Sequence, residues 1–368
     1  MRLRPTLTII LATACVFPTA VSARTWHVSV DHSGDAATIQ AAIDSSASGD
    51  TVLVTSGTYF ENLNLSGKNI LLRSATGPEA TTIDGSHIPD AVILFLSGES
   101  NACVVEGFTI TGGKGHNLGG GSTYLFGGGA CIYNASPILR NNIVFENQAK
   151  TGGGVFIGGA NQWSDPGLVT PQLDGNTFAE NLAVSGGGLD ANFGNPLITN
   201  NLFLQNTATA SGGGADIGMS WGTPVVSHNT FQGNHGLTGG GLWVSGGHGG
   251  KITVSFNLVV QNTATGYLNF GAGGGVVVDY NGTNVTFVNN TIVQNQGGGM
   301  LFAEGPGDRA WQMWDADKFD ANLIDADFGR ASAGGFNVVR IFIQGVLAAE
   351  ITAGKWDKLD AVISMAEK

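Results

Sequence analysis

The chain has 368 residues, 58 of them Gly, and is 42% apolar with only 12% charged residues and a net charge of −12. That apolar content excludes a disordered chain, so the glycines belong to turns of a folded body. The scarcity of Lys and Arg excludes nucleic acid and anionic membrane surfaces as partners.

Residues 1–23 read as a secretory signal. Arg2 and Arg4 give a basic start, Leu7 to Phe17 a short apolar run, and Val21, Ser22 and Ala23 small residues at the cleavage positions. The mature protein is therefore expected to start near residue 24, to be secreted or held at the cell surface, and to have no membrane-spanning segment. Cys15 raises lipidation as an alternative, but Ala12 stands where such signals prefer Leu. Cys103 and Cys131 either pair in an oxidising compartment or are small buried side chains. Residues 25–30 alternate as a strand. Residues 36–47 put Ile39, Ala42 and Ile43 on one helical face, as a solenoid's N-terminal cap requires. Short apolar strands with Gly-containing turns follow about every ten residues. In residues 91–98 so little polarity remains that burial on both faces or a covered edge is expected.

From Asn134 to Met300 one pattern recurs six times: Asn, four residues, Asn, then a glycine triplet. The pairs are Asn142/Asn147, Asn176/Asn181, Asn201/Asn206, Asn229/Asn234, Asn257/Asn262 and Asn290/Asn295. Three places before the second Asn stand Val144, Phe178, Phe203, Phe231, Val259 and Ile292; eight places before it stand Leu139, Leu173, Ile198, Val226, Val254 and Phe287. A third apolar column follows the triplets, from Val155 to Met300, and Pro opens four of the six repeats. Three short strands per repeat, all sending apolar side chains inward, make a coil of a parallel β-helix. Stacked Asn side chains can bond one another along the axis and tolerate left-handed corners, and the glycines allow close approach of coils. Both columns are scaffold. A phosphate-cradling loop is excluded, because neither a helix nor Lys-Ser/Thr follows the triplets.

The FxxN pieces at 178, 203 and 231, and the GGGV, GGGL and GGGA pieces at 152, 186 and 212, resemble the repeats of polymorphic outer-membrane proteins. More broadly they resemble secreted right-handed parallel β-helix proteins of the pectin-lyase-like superfamily. The resemblance implies an all-β, right-handed parallel β-helix over residues 24–300. For activity it spans polysaccharide lyases, glycoside hydrolases, adhesins and inert stalks.

Function is sought where the copies differ. Two coils run long, with triplets 34 residues apart from Gly152 to Gly186 and from Gly239 to Gly273, and residues 112–126 form a third long loop. All border the strand after a triplet, and loops on one face of a rigid scaffold commonly wall a cleft. The outward column of that strand reads Cys131, Phe156, Asp190, Asp216, Trp243 and Val277, with Asn192, Ser245 and Asp279 two residues further on. Asp190 and Asp216 are expected ~5 Å apart on adjacent coils, as a Ca²⁺ or acid/base pair whose spacing fits retaining hydrolysis. Phe156 and Trp243 would bracket a sugar, with Asn192 and Asp279 as further substrate-binding residues. The competing expectation is solvated carboxylates on a shallow sheet. A lyase would also need a basic residue, for which Lys251 is the candidate. The seven histidines are scattered and none pairs at metal-ligand spacing.

After residue 300 the repeats stop. Residues 320–332 read as a helix, 336–343 as a strand and 355–368 as a helix. FDANLIDADFGRASAGGFNVVRIFI and WDKLDAVISMAEK resemble the opening of (β/α)8 glycoside hydrolases of the cellulase and mannanase type. The resemblance places Arg340 on an Arg that supports the active site there. The two catalytic Glu of that family lie on later strands, so the resemblance implies an incomplete barrel from a longer modular enzyme. A C-terminal cap over the last coil is the alternative. The expected function is carbohydrate binding or processing, with a polysaccharide or cell-surface glycan as partner and no cofactor beyond a possible Ca²⁺. The alternatives are an active lyase or hydrolase on the Asp190/Asp216 face and a non-enzymatic stalk.

Overall fold

A computed structural model describes residues 22–119, 124–159, 169–192, 194–218, 222–245, 251–266, 273–280, 284–304 and 355–366. The chain winds as a right-handed parallel β-helix. Three long sheets of ten, nine and nine strands form its walls, joined by a fourth of four strands. Each full repeat contributes one strand to each wall, as Gln172–Asp174, Thr177–Ala179 and Leu189–Asn192 do. The fourth sheet, which the three-strand reading of the repeat did not foresee, begins at Leu182–Ser185 and occupies the arc before the glycine triplets.

The lumen is a continuous apolar core. Phe178, Phe203 and Phe231 stack through it with ring centroids 4.8 and 4.6 Å apart, as in-register coils dictate for identical residues. At the N-terminal end helix α1 (Ile39–Ser45) lays Ile39, Ala42 and Ile43 on the first coils, as expected. The Thr38 hydroxyl caps it by accepting from the Ala41 amide at 3.0 Å. The Glu61 carboxylate accepts the two free amides of Ile39 and Gln40 at 2.9 and 2.8 Å.

The two Asn columns are ladders at successive corners. Asn176, Asn201, Asn229 and Asn257 pass hydrogen bonds of 2.9–3.1 Å from coil to coil, each amide oxygen accepting both the backbone N–H and the side-chain Nδ2 of the preceding rung. The Asn181, Asn206, Asn234 and Asn262 ladder repeats this arrangement. The left-handed residue is not the ladder Asn but the one before it: Asn141, Asn200, His228, Phe256 and Asn289 at one corner, and Glu146, Glu180, Gln205, Gln261 and Gln294 at the other. The corner turns on the preceding residue, and this leaves the ladder Asn pointing inward. The triplet glycines need their missing side chain for closeness as well as conformation. A Cβ on Gly188 would sit 2.6 Å from the Gly214 carbonyl oxygen of the next coil.

Outside the solenoid walls the structure describes a C-terminal helix, α2 (Asp357–Ala366), within the helix expected at 355–368. The helix and strand expected at 320–332 and 336–343, with Arg340, lie outside the described residues, as do residues 1–21. No helix among the described residues is long and apolar enough to cross a membrane. Cys103 and Cys131 are unpaired buried thiols, one in the lumen core and the other on the outer side of the wall, so the disulfide alternative is not realised.

Candidate active site

The third wall carries the outward column in the expected register. Cys131 pairs with Phe156, Phe156 with Asp190, Asp190 with Asp216, Asp216 with Trp243 and Trp243 with Val277. Ser245 likewise pairs with Asp279 two positions on. The two carboxylates therefore stand on neighbouring strands, separated at the backbone by the ~4.8 Å strand spacing.

This outward face is not open sheet. At its N-terminal end residues 112–119 and 124–126 lie over it, joined by reciprocal backbone bonds between His116 and Phe126 of 2.8 and 2.9 Å. The His116 imidazole also meets the Asp90 carboxylate at 2.8 Å. Beneath this loop Ala91, Leu94, Cys131 and Phe156 form a second, smaller apolar cluster with Leu118 and Phe126. Phe156 is therefore not a sugar platform: it is 6% exposed, with the Phe126 ring 4.7 Å away. The burial expected of residues 91–98 is found for residues 91–95, whose outward Ala91 and Leu94 lie in this cluster, while Ser97 and Gly98 are exposed.

Asp190 and Asp216 are buried, 1% and 4% exposed, which excludes the solvated-surface reading. Asn192 donates its side-chain amide to Asp190. Ser211, in the fourth sheet, donates its hydroxyl to Asp216 Oδ2 at 2.6 Å and lies 3.3 Å from the Ser185 hydroxyl. Burial, and then the charge of Asp216, push the Asp190 carboxyl well above the ordinary carboxylate range, against the Asn192 bond that favours its ionised form. Burial pushes Asp216 up to about 7, with the Ser211 bond opposing and the Asp279 charge adding to the rise. Two buried like charges this close cannot both ionise cheaply, so the pair holds a proton near neutral pH. Ser211 favours the charged form of Asp216, which leaves Asp190 as the protonated partner. Trp243, Asn192 and Asp279, on the strands around the pair, are half-buried.

Ser211 was missed in the sequence, although a signal was present. Thr151, Ser185, Ser211 and Thr238 each stand immediately before a glycine triplet, and they bridge one another across coils. Lys251 was misplaced: it opens the exposed end of a first-wall strand, opposite Asn284, and so lies on another wall from the Asp pair. No group of three or more His, Cys, Asp or Glu side chains converges among the described residues.

The stacked, in-register walls define a right-handed parallel β-helix protein. A family model described as right handed beta helix region matches residues 169–308, which contain both aspartates. No curated protein matches the chain. Among solved structures it is similar to a pectin methylesterase from carrot, at 10% identity and a TM-score of 0.40, covering 88% of this chain and 100% of that one. A pectin methylesterase from Aspergillus niger is similar at 15% identity and a TM-score of 0.37, covering 79% of this chain and 88% of that one. Likeness at this level assigns no chemistry to the chain.

Proposed function

We propose that this is a secreted, carbohydrate-acting protein that hydrolyses bonds in a polysaccharide with Asp190 as general acid and Asp216 as the ionised partner. The observation that supports the reading is the pair of buried, register-paired carboxylates, of which burial and the Asp216 charge raise Asp190 the further. The ~4.8 Å spacing of the neighbouring strands that carry them supports a double displacement, which uses carboxyl groups about 5–5.5 Å apart. In that reaction Asp190 protonates the leaving oxygen while Asp216 attacks the sugar carbon. Asp190, then ionised, takes a proton from the water that releases the product. Trp243 would offer its indole face to a sugar ring, with Asn192 and Asp279 as further sugar contacts. Elimination chemistry is less well supported, because Lys251 stands on another wall. Bound Ca²⁺ is the alternative occupant of the pair. It would keep both carboxylates ionised, and two carboxylates supply few of the six to eight oxygens it prefers.

The near-complete burial of the pair favours one competing reading: a structural stalk in which the shared proton only relieves charge. The two readings separate in an assay of soluble-product release from neutral and acidic polysaccharides. Asp190→Asn and Asp216→Asn are each expected to lower kcat by a hundredfold or more. Trp243→Ala is expected to raise KM about tenfold with a smaller change in kcat. Millimolar Ca²⁺ is expected to leave the wild-type rate unchanged. Product release that survives in both Asp variants, or that is absent from the wild type across the panel, would sink the hydrolytic reading.

A further inference from the structure

A different face of the solenoid carries a second binding surface. In the second wall, the four coils nearest the C-terminal end read NNLFLQN (200–206), HNTFQGN (228–234), FNLVVQN (256–262) and NNTIVQN (289–295), without one Asp, Glu, Lys or Arg. The two preceding coils carry Glu146 and Glu180 at the same corner, and the first wall carries Arg73, Glu106, Arg140 and Asp174 facing outward. In a chain of net charge −12, four consecutive uncharged rungs stand apart.

The surface has a floor and two rims. Its floor is a pair of outward columns in strict register, one of them Leu202, Thr230, Leu258 and Thr291. One rim is the left-handed corner where Asn200, His228, Phe256 and Asn289 project. There the His228 and Phe256 rings lie stacked, 5.0 Å apart and 10° from parallel, with Phe256 52% exposed. The other rim is amide: Gln205, Gln261 and Gln294 at left-handed corners, with Gln232 bonded to Gln261 at 3.4 Å.

We propose that this face binds a neutral polysaccharide chain lying along the solenoid axis, independently of the Asp190/Asp216 pair. Aliphatic and aromatic groups suit the C–H faces of sugar rings, and the amide rims supply both donors and acceptors for hydroxyls. Anionic polymers find no cation here. A peptide cannot add as a strand to the inner rungs, because each already pairs on both sides. A second copy is disfavoured by size: four rungs at ~4.8 Å by five residues at ~3.3 Å give roughly 300 Å², against about 800 Å² per partner in a stable dimer.

The test is retention of the purified chain by insoluble cellulose, chitin and mannan, with affinity electrophoresis in polygalacturonate as the anionic arm. Wild type is expected to be retained by at least one neutral polymer and not slowed by polygalacturonate. Leu258→Lys, which puts a charge on the floor, is expected to cut retention at least fivefold. Phe256→Asn, which installs the residue that occupies this corner at Asn200 and Asn289 and so preserves the fold, is expected to cut it about threefold. Retention should persist in Asp216→Asn, which separates this surface from the acid pair. The proposal is overturned if no neutral polymer retains the wild type, if both variants bind as it does, or if sedimentation shows a dimer that Leu258→Lys dissociates.

Discussion

Asn206→Leu is expected to lose about 5 kcal/mol of stability and to fail to accumulate as folded protein. Asn206 is fully buried, and its amide oxygen accepts from the Asn181 backbone and side-chain amides at 3.0 and 2.9 Å. Its Nδ2 donates to the Phe178 carbonyl at 2.8 Å and to Asn234 at 3.0 Å. Leucine fits the volume but strands two donors and a carbonyl in a dry interior, at ~1–3 kcal/mol each. Total stabilities are typically only ~5–15 kcal/mol. The neighbouring Gln205 is the control. It is exposed at φ 54°, and Gly233 occupies the same corner one coil on. Gln205→Gly is therefore expected to change stability by less than about 1 kcal/mol. Urea unfolding followed by circular dichroism reads both variants, and an Asn206→Leu protein as stable as wild type would show that the ladder is ornamental.

The second large effect is a reversal of the usual sign. Asp216→Asn is expected to stabilise the protein at alkaline pH. A carboxyl whose folded pKa is raised to about 7 binds more protons folded than unfolded between the ordinary carboxylate value and 7. The contribution of this group to stability is thus greatest below about pH 4 and falls as pH rises towards 7. The full loss is on the order of 4 kcal/mol, accumulating at about 1.4 kcal/mol per pH unit between the two values. The Asn side chain can still accept from Ser211, and it removes the charge that raises Asp190. At pH 8 the variant should therefore melt several degrees above wild type, and at pH 4 the two should coincide. A melting curve that gives equal pH dependence for both proteins would mean that the pair ionises normally.

Much of this was legible in the sequence because a β-helix converts sequence offset into position. Counting back from the second Asn of each repeat puts Leu139 and Val144 inside, and counting on from the glycine triplets puts Val155 inside and Asp190 opposite Asp216. What the repeat could not show was what lies outside it. Phe156 occupies an outward position, and only the placement of Leu118 and Phe126 over it decides that it is buried rather than open to sugar. The same blindness affected the acid pair: its adjacency follows from register, its burial does not. Lys251 is the nearest basic residue by column, although it starts the next coil and so belongs to another wall. The left-handed corners were attributed to the ladder Asn, whereas doublets such as Asn200-Asn201 and Asn289-Asn290 divide the work. One residue turns the chain and the next joins the ladder.

The central claim is that Asp190 and Asp216 share a proton near neutral pH. The most direct measurement is a pH titration of the carboxyl carbons by NMR in protein labelled at aspartate, with the two resonances assigned from Asp190→Asn and Asp216→Asn. The pair is expected to release its protons in two coupled steps, with Asp216 ionising near 7 and Asp190 well above the ordinary carboxylate range. Replacing Asp216 should lower the value of Asp190, whereas Asp190→Asn should leave Asp216 near 7. Independent ionisation of both carboxyls near the ordinary ~4 would contradict it.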